Sequence, residues 1–155
     1  MQNNRSIELR NLELFQLGYV YKDIEKQAKI MESVYGVSEF TVFDPVKLRI
    51  NYRGVKTKIT VRGAFGQYNK TQLELIQLIE GDSIYKEFLD QGREGLHHVL
   101  YVVDNLKAVI NKYKEAGIEV IQSGRIMTSS YAYMDTEEKL GIIVEFGQGG
   151  KGGLI

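Results

Sequence analysis

Apolar and polar positions alternate in short blocks along this chain, and glycine, asparagine and aspartate separate the blocks. Residues 15–21 predict a strand. Ile24, Ala28, Met31 and Val34 then recur at helical spacing behind a capping Asp23, and Gly36 marks the stop. Residues 39–43 read as a second short strand, ended by Asp44 and Pro45. Residues 46–56 alternate only weakly around a turn at Arg53 and Gly54. Residues 56–64 set Ile59 and Val61 against Lys58, Thr60 and Arg62, a strand with one wet face. Residues 71–78 predict a further strand, and 83–91 a short helix with Tyr85, Phe88 and Leu89 inward. The second half repeats that order: a strand at 99–103, and a helix at 106–116 behind Asp104 and Asn105. Strands at 118–122, 130–135 and 142–146 follow, with a polar turn at 135–139. Each half therefore predicts β-α-β-β-β. The fold class is α+β, with modules 12–80 and 95–148 in one domain spanning 1–155. Residues 1–11 are expected to be loosely held, and the glycine-rich 149–155 a flexible tail.

The repeat extends to single residues. Counting back seven residues from the helix cap Asp23 gives Gln16, and seven back from Asn105 gives His98. Tyr19 and Val20 then meet Tyr101 and Val102. Aligning 73–75 with 144–146 matches Glu74 with Glu145. Four polar residues thus interrupt apolar strands at corresponding places: Gln16, Glu74, His98 and Glu145. A carboxylate in an apolar strand costs several kcal/mol unless it is paired, protonated or bound to a cation. One divalent metal would satisfy both glutamates together with an imidazole and an amide oxygen. The plain alternative is four edge residues facing water, or glutamates paired with Lys or Arg. His97 and His98 are the only histidines, and neighbours on a strand face opposite sides. One imidazole can therefore face a cavity: His98 as ligand, with His97 structural on the other face.

Composition narrows the classes. With 43% hydrophobic residues the chain is globular. A net charge of zero, with mixed signs, argues against nucleic acid or an anionic membrane as partner. No apolar run reaches the 18 or so residues of a membrane span. No signal peptide is recognised at the start of the sequence. The absence of cysteine excludes disulfides and thiol chemistry, and fits a cytoplasmic location.

These residues resemble the vicinal oxygen chelate superfamily, which includes glyoxalase I, methylmalonyl-CoA epimerase, extradiol dioxygenases and bleomycin-resistance proteins. The resemblance covers roughly residues 15–148 and is closest to the epimerase–glyoxalase branch. Residues 15–24 look like its first-strand signature, and 73–76 like its fourth-strand motif. Gly95-Leu-His-His-Val, followed by Val103-Asp-Asn-Leu, is the most specific match, and 141–146 looks like the terminal strand. The resemblance implies two βαβββ modules curled around a cleft, with one metal ligand from the first and last strand of each. On this chain those are Gln16, Glu74, His98 and Glu145. It implies a divalent ion (zinc, nickel, cobalt or manganese) and a lyase, isomerase or epimerase that moves a proton next to a carbonyl or thioester. Glu145 and Glu74 would be the catalytic carboxylates, with Glu39 or Asp44 as a second base. Tyr131, Tyr133, Tyr52, Tyr68 and Arg125 are candidates to line the pocket. Partners would be a small-molecule substrate and, because superfamily members commonly dimerise and the Tyr-rich strands suggest exposed apolar surface, a second copy in a homodimer. The first ligand is often His in the epimerases and is Gln16 here, as in some glyoxalases. Asp135-Thr-Glu stands where epimerases usually carry His-Pro-Lys. A metal-free small-molecule binding or resistance protein is the alternative, and an extradiol dioxygenase a further one.

Overall fold

The computed structural model describes residues 9–149. The expectations for residues 1–8 and 150–155 lie outside the described residues. Leu9–Asn11 form a 3-10 turn, and Leu9 packs against the second module's core.

The elements run β1 (Glu13–Val20), α1 (Ile24–Tyr35), β2 (Thr41–Val42), β3 (Val46–Tyr52), β4 (Val55–Tyr68) and β5 (Thr71–Glu80). A bridging helix α2 (Ile84–Asp90) follows, then β6 (Gly95–Val102), α3 (Leu106–Glu115), β7 (Val120–Ile126), β8 (Ser129–Met134), α4 (Glu137–Leu140) and β9 (Ile143–Gln148). The strands form one sheet in the order β2-β4-β3-β7-β8-β9-β6-β1-β5. A further β4–β5 pairing closes eight strands into a ring, with β2 attached outside it. β1 pairs β5 in parallel, as β6 pairs β9. The two halves meet at two antiparallel seams, β1–β6 and β3–β7. This is the expected α+β architecture of two βαβββ units, with the curved sheet closed into a barrel-like ring.

Three apolar layers hold it. Val20, Ile76, Leu100, Tyr131, Tyr133 and Ile143 fill the inside of the ring. α1 buries Ile24, Ala28 and Met31 against Leu73 and Leu75 on one outer face. α3 buries Leu106 and Tyr113 against Val144 and Phe146 on another. Each large side chain so buried contributes roughly 1.5–3 kcal/mol.

The helices start alike. Asp23 accepts from the Lys26 N–H at 3.1 Å, and Asn105 from the Ala108 N–H at 3.0 Å. A second cap comes from the last strand of each unit. Gln77 Oε1 accepts from the Ile24 N–H at 3.2 Å, and Gln148 Oε1 from the Leu106 N–H at 2.7 Å. Gln16 to His98, Asp23 to Asn105 and Ile24 to Leu106 are all 82 residues apart; Glu74 to Glu145 and Gln77 to Gln148 are 71 apart. The repeat is therefore built from hydrogen bonds as well as from element order.

Several elements differ from the sequence expectation. The strand expected at 39–43 shrinks to the two-residue β2. The working second strand is β3, within the weakly alternating stretch, and it forms a hairpin with β4 through Arg53 and Gly54. Positive φ at both turn residues (47° and 84°) suits a tight hairpin turn. β7 begins at Val120 rather than at 118, and the polar turn after β8 contains the single-turn α4. Tyr131 and Tyr133 are buried inside the ring, so the Tyr-rich β8 offers no exposed apolar surface. No helix among the described residues is long and apolar enough to cross a membrane.

Candidate metal centre

Gln16, Glu74, His98 and Glu145 all face the inside of the ring and are all buried. They come from β1, β5, β6 and β9, four strands that are neighbours in the order β9-β6-β1-β5. His98 Nε2 lies 3.2 Å from Glu74 Oε2 and 3.3 Å from Glu145 Oε2, so one imidazole edge joins a carboxylate from each half. Strand register explains how the ring reaches that place. His98 pairs with Gly18, and Glu74 pairs with Gly18 from the other side. A Cβ on Gly18 would stand 1.9 Å from His98 Nε2. The missing side chain is the space the imidazole occupies. Gln16 shares the inward face of β1 with Gly18, and its amide donates to Gln72 Oε1 at 2.6 Å.

His97 corrects the strand-alternation expectation. It points into the ring beside His98, with Nδ1 atoms 3.0 Å apart, and its ring packs on Tyr85, Phe88 and Tyr133. The cause is a bulge. Gly18 pairs His98 and Tyr19 pairs Leu96, so His97 has no partner across the seam. An extra residue on one strand resets the alternation. Burial holds the His97 imidazole well below the usual histidine range, and His98 beside it adds to the effect.

The polar atoms here are short of partners. Gln16 Oε1 and both Glu145 carboxylate oxygens are buried without a hydrogen bond. Burial raises the Glu145 carboxyl well above the usual range, and the negative charge of Glu74 raises it further. The Tyr133 hydroxyl acts in the opposite direction as the smallest of the three causes, and it also shares a 2.7 Å hydrogen bond with Tyr85. Burial also raises the Tyr85, Tyr131 and Tyr133 hydroxyls.

A divalent cation fits this donor set. It would neutralise Glu145 and Glu74 together, and would occupy the orphaned amide oxygen of Gln16. Two ligands about 2.1 Å from one ion stand about 3.0–3.4 Å apart at octahedral to tetrahedral angles, the range of both His98 contacts. Among the described residues, no three His, Asp or Glu side chains form a ready-made cation cage. The fit rests on the unpaired atoms rather than on a preformed cage.

A cavity of about 460 Å³ opens onto the group. Glu74 is the member of the four that lines it, with Tyr85, Tyr131, Tyr133 and Ile76 around it. Phe43, Val46 and Met127 are exposed and form the rim. Of the other candidates, Asp44 reaches this cavity and Glu39 does not. Tyr52 is bonded to Glu87, Tyr68 is exposed, and Arg125 lines a different groove. Sequence reading missed Gly18 as part of the site. Its signal was a glycine between inward Gln16 and Val20, on the strand that faces the histidines. Tyr85 was expected inward for packing, without a place in the cavity.

A closed ring of two βαβββ units with a buried mixed carboxylate, imidazole and amide group describes a glyoxalase-like protein. The chain belongs to the Glyoxalase/Bleomycin resistance protein/Dioxygenase superfamily, whose family model matches residues 15–133. Among solved structures, it is similar to a hypothetical protein from Bacillus halodurans (18% identity, 90% of this chain and 96% of that one, TM-score 0.65). It is also similar to methylmalonyl-CoA epimerase from Streptomyces coelicolor in complex with 2-nitronate-propionyl-CoA (19%, 88% and 93%, TM-score 0.64). The Mycobacterium tuberculosis methylmalonyl-CoA epimerase is a third (14%, 96% and 95%, TM-score 0.66). At these identities the likeness establishes the fold. No curated protein sequence matches the chain.

Proposed function

We propose that this protein is a divalent-metal-dependent lyase, isomerase or epimerase, which moves a proton at the carbon next to a carbonyl or thioester. The observation that carries this reading is Glu145. It is a carboxyl held wholly inside an apolar ring, without a hydrogen bond, 3.3 Å from an imidazole that also meets Glu74. A structural role alone leaves its desolvation uncompensated. Gln16, Glu74, His98 and Glu145 would hold the ion, with zinc, nickel, cobalt and manganese all accepting such N/O ligands. When bound, the ion supplies a Lewis acid for a substrate oxygen.

The chain's own residues supply the rest. Glu74 reaches the cavity, so it can take or return a proton at a bound carbon acid. Glu145, enclosed on the far side of His98, is the second carboxyl of the pair. Asp44 at the cavity wall is the available second base. The Tyr85, Tyr131 and Tyr133 hydroxyls stay protonated and offer donors to the substrate. The apolar rim excludes water. The Streptomyces coelicolor epimerase is in complex with 2-nitronate-propionyl-CoA, an acyl-CoA compound, which supports an enolisable thioester as substrate.

The test is deuterium exchange in D2O. Protein reconstituted with each of the four metals is incubated with enolisable acyl thioesters, and loss of the α-proton signal is followed by NMR. Metal-dependent exchange is expected, lowered about 10²–10⁴-fold by Glu74→Gln. Tight binding of a small molecule without retained metal or exchange would instead establish the binding-protein reading.

A further inference from the structure

We propose that the outer face of β3, β4 and β7 is a binding groove for the linked phosphoryl groups of a small molecule, held by Arg49, Lys56, Lys58 and Arg125. Nothing in the metal centre requires this groove, and its charges face away from the inside of the ring.

The charges of this chain balance overall but not locally. Between Asp44 and Glu74 there are seven cations (Lys47, Arg49, Arg53, Lys56, Lys58, Arg62, Lys70) and no carboxylate. Two are neutralised in the fold: Arg53 pairs with Glu87 at 2.7 Å, and Arg62 with Glu25 at 2.8 Å. Arg49, Lys56 and Lys58 are exposed and, among the described residues, enter no ion pair or hydrogen bond; β7 adds Arg125 in the same state.

The sheet concentrates these four. Arg49 stands directly opposite Lys58, and Asn51 opposite Lys56. On the other side Ile50 pairs with Gly124 and Asn51 with Ser123, so the same register sets Arg125 level with Arg49, one position beyond the last pair. Arg49 therefore has a cation on each flank. Like charges facing across a ladder destabilise it, so folding alone gives no reason for the arrangement. The helices leave this part of the face open: α1 meets β4 at Arg62 and Ala64, beyond Lys56 and Lys58, and α3 packs on β8 and β9.

The lining is made for an acceptor-rich guest. A groove of about 580 Å³ is bounded by the four cations with Asn51 and Ser123 between them. Arg and Lys are donors only. The Asn51 carbonyl oxygen is taken by the Gly54 N–H at 3.0 Å, leaving its amide N–H groups to the groove. Among the described residues no carboxylate lines it. Strands are spaced about 4.8 Å apart, so three of them set the cations along lines about 10 Å apart. That span suits two or three linked phosphoryl groups, and two guanidinium forks suit their paired oxygens. The volume lies within the roughly 300–1,000 Å³ of small-molecule sites. A zero net charge provides no wider basic field for a nucleic acid. The shared chemistry is a polyphosphate, whether of a nucleotide or of a coenzyme tail.

The test is calorimetric titration of the full chain with inorganic pyrophosphate, ATP, coenzyme A and a single-stranded oligonucleotide. A chelator is present so that the metal centre is not the readout. The variants are Arg49→Ser/Lys58→Ser and Arg125→Ser, checked for folding by circular dichroism. Submillimolar binding of pyrophosphate or ATP is expected, weakening with salt and falling about tenfold or more in each variant. Equal affinities for pyrophosphate and ATP would assign the site to the phosphoryl groups alone. Tighter binding of coenzyme A would assign it to a coenzyme tail. Three results overturn the proposal: no binding at millimolar concentrations, binding unchanged in both variants, or affinity for the oligonucleotide alone.

Discussion

Glu145 sets the pH behaviour of the metal-free protein. Its folded-state pKa is raised above the unfolded value of 4.5, so the folded chain holds this proton more tightly. The resulting stability is fully present below the unfolded value and is lost as pH rises through the folded one. Glu145→Gln keeps the shape and removes the titration. Denaturant melts of the metal-free variant should therefore fall less between pH 5 and 8 than those of the parent, and match or exceed it at the alkaline end. A steeper decline in the variant would show that another group controls the slope. Gly18→Ala tests the space beneath the imidazole. Its Cβ would overlap the His98 ring, so we expect about 1–3 kcal/mol of destabilisation and a weaker hold on added zinc. Unchanged zinc affinity by chelator competition would refute that account. Gln16, Glu74, His98 and Glu145 were legible because each breaks an apolar run at a fixed distance from a cap or a strand end. His97 was misplaced because alternation assumes an unbroken ladder. Nothing in the side chains of 95–98 announces the bulge.

At the scale of elements, the two long helices are held by glutamines from strands far along the chain. Replacing Gln77 or Gln148 by Ala leaves the first N–H of α1 or α3 without its acceptor. Each change should cost about 1 kcal/mol, and the double variant close to the sum, because the two caps share no partner. Urea melts of the three variants provide the check, and strong non-additivity would show that the helices are coupled. These helices were readable from their capping residues and apolar stripes. β3 was not read as a strand, although Val46, Leu48, Ile50 and Tyr52 face inward and alternate with Lys47, Arg49 and Asn51. The strand is stabilised by β4 and β7 on either side, which a local pattern does not reveal. The two-residue β2 shows the opposite case, a good local strand pattern that finds only a brief partner in β4.

For the whole molecule, each half contributes two of the four candidate ligands, and β1–β6 is the seam between them. An ion held there would brace both halves against opening. At a free zinc concentration one hundred times its Kd, the gain would be about 2.7 kcal/mol, in one cooperative transition. Thermal scans with and without zinc measure it, and a second transition appearing with metal would contradict the shared site. The two-unit order was legible because caps and interrupting residues recur. Closure into a ring was not, since β3–β7 and β4–β5 are long-range pairings that no local period encodes. That closure also governs how copies of this protein can meet. Among the described residues the ring consumes most of its own strand edges; the outer flank of β2 and the part of β3 ahead of Ile50, where its ladder with β7 begins, remain. An open edge is a template on which a second chain adds by backbone hydrogen bonds. Here each such template is only a few residues long. The homodimer we expect must therefore form by side-chain packing, and its dissociation constant, read by sedimentation across temperature, should carry the heat-capacity signature of buried apolar area. Among the described residues the same closure leaves only short rows of N–H and C=O groups to seed fibrils, so crowded or heated samples should lose protein about as fast as the ring opens.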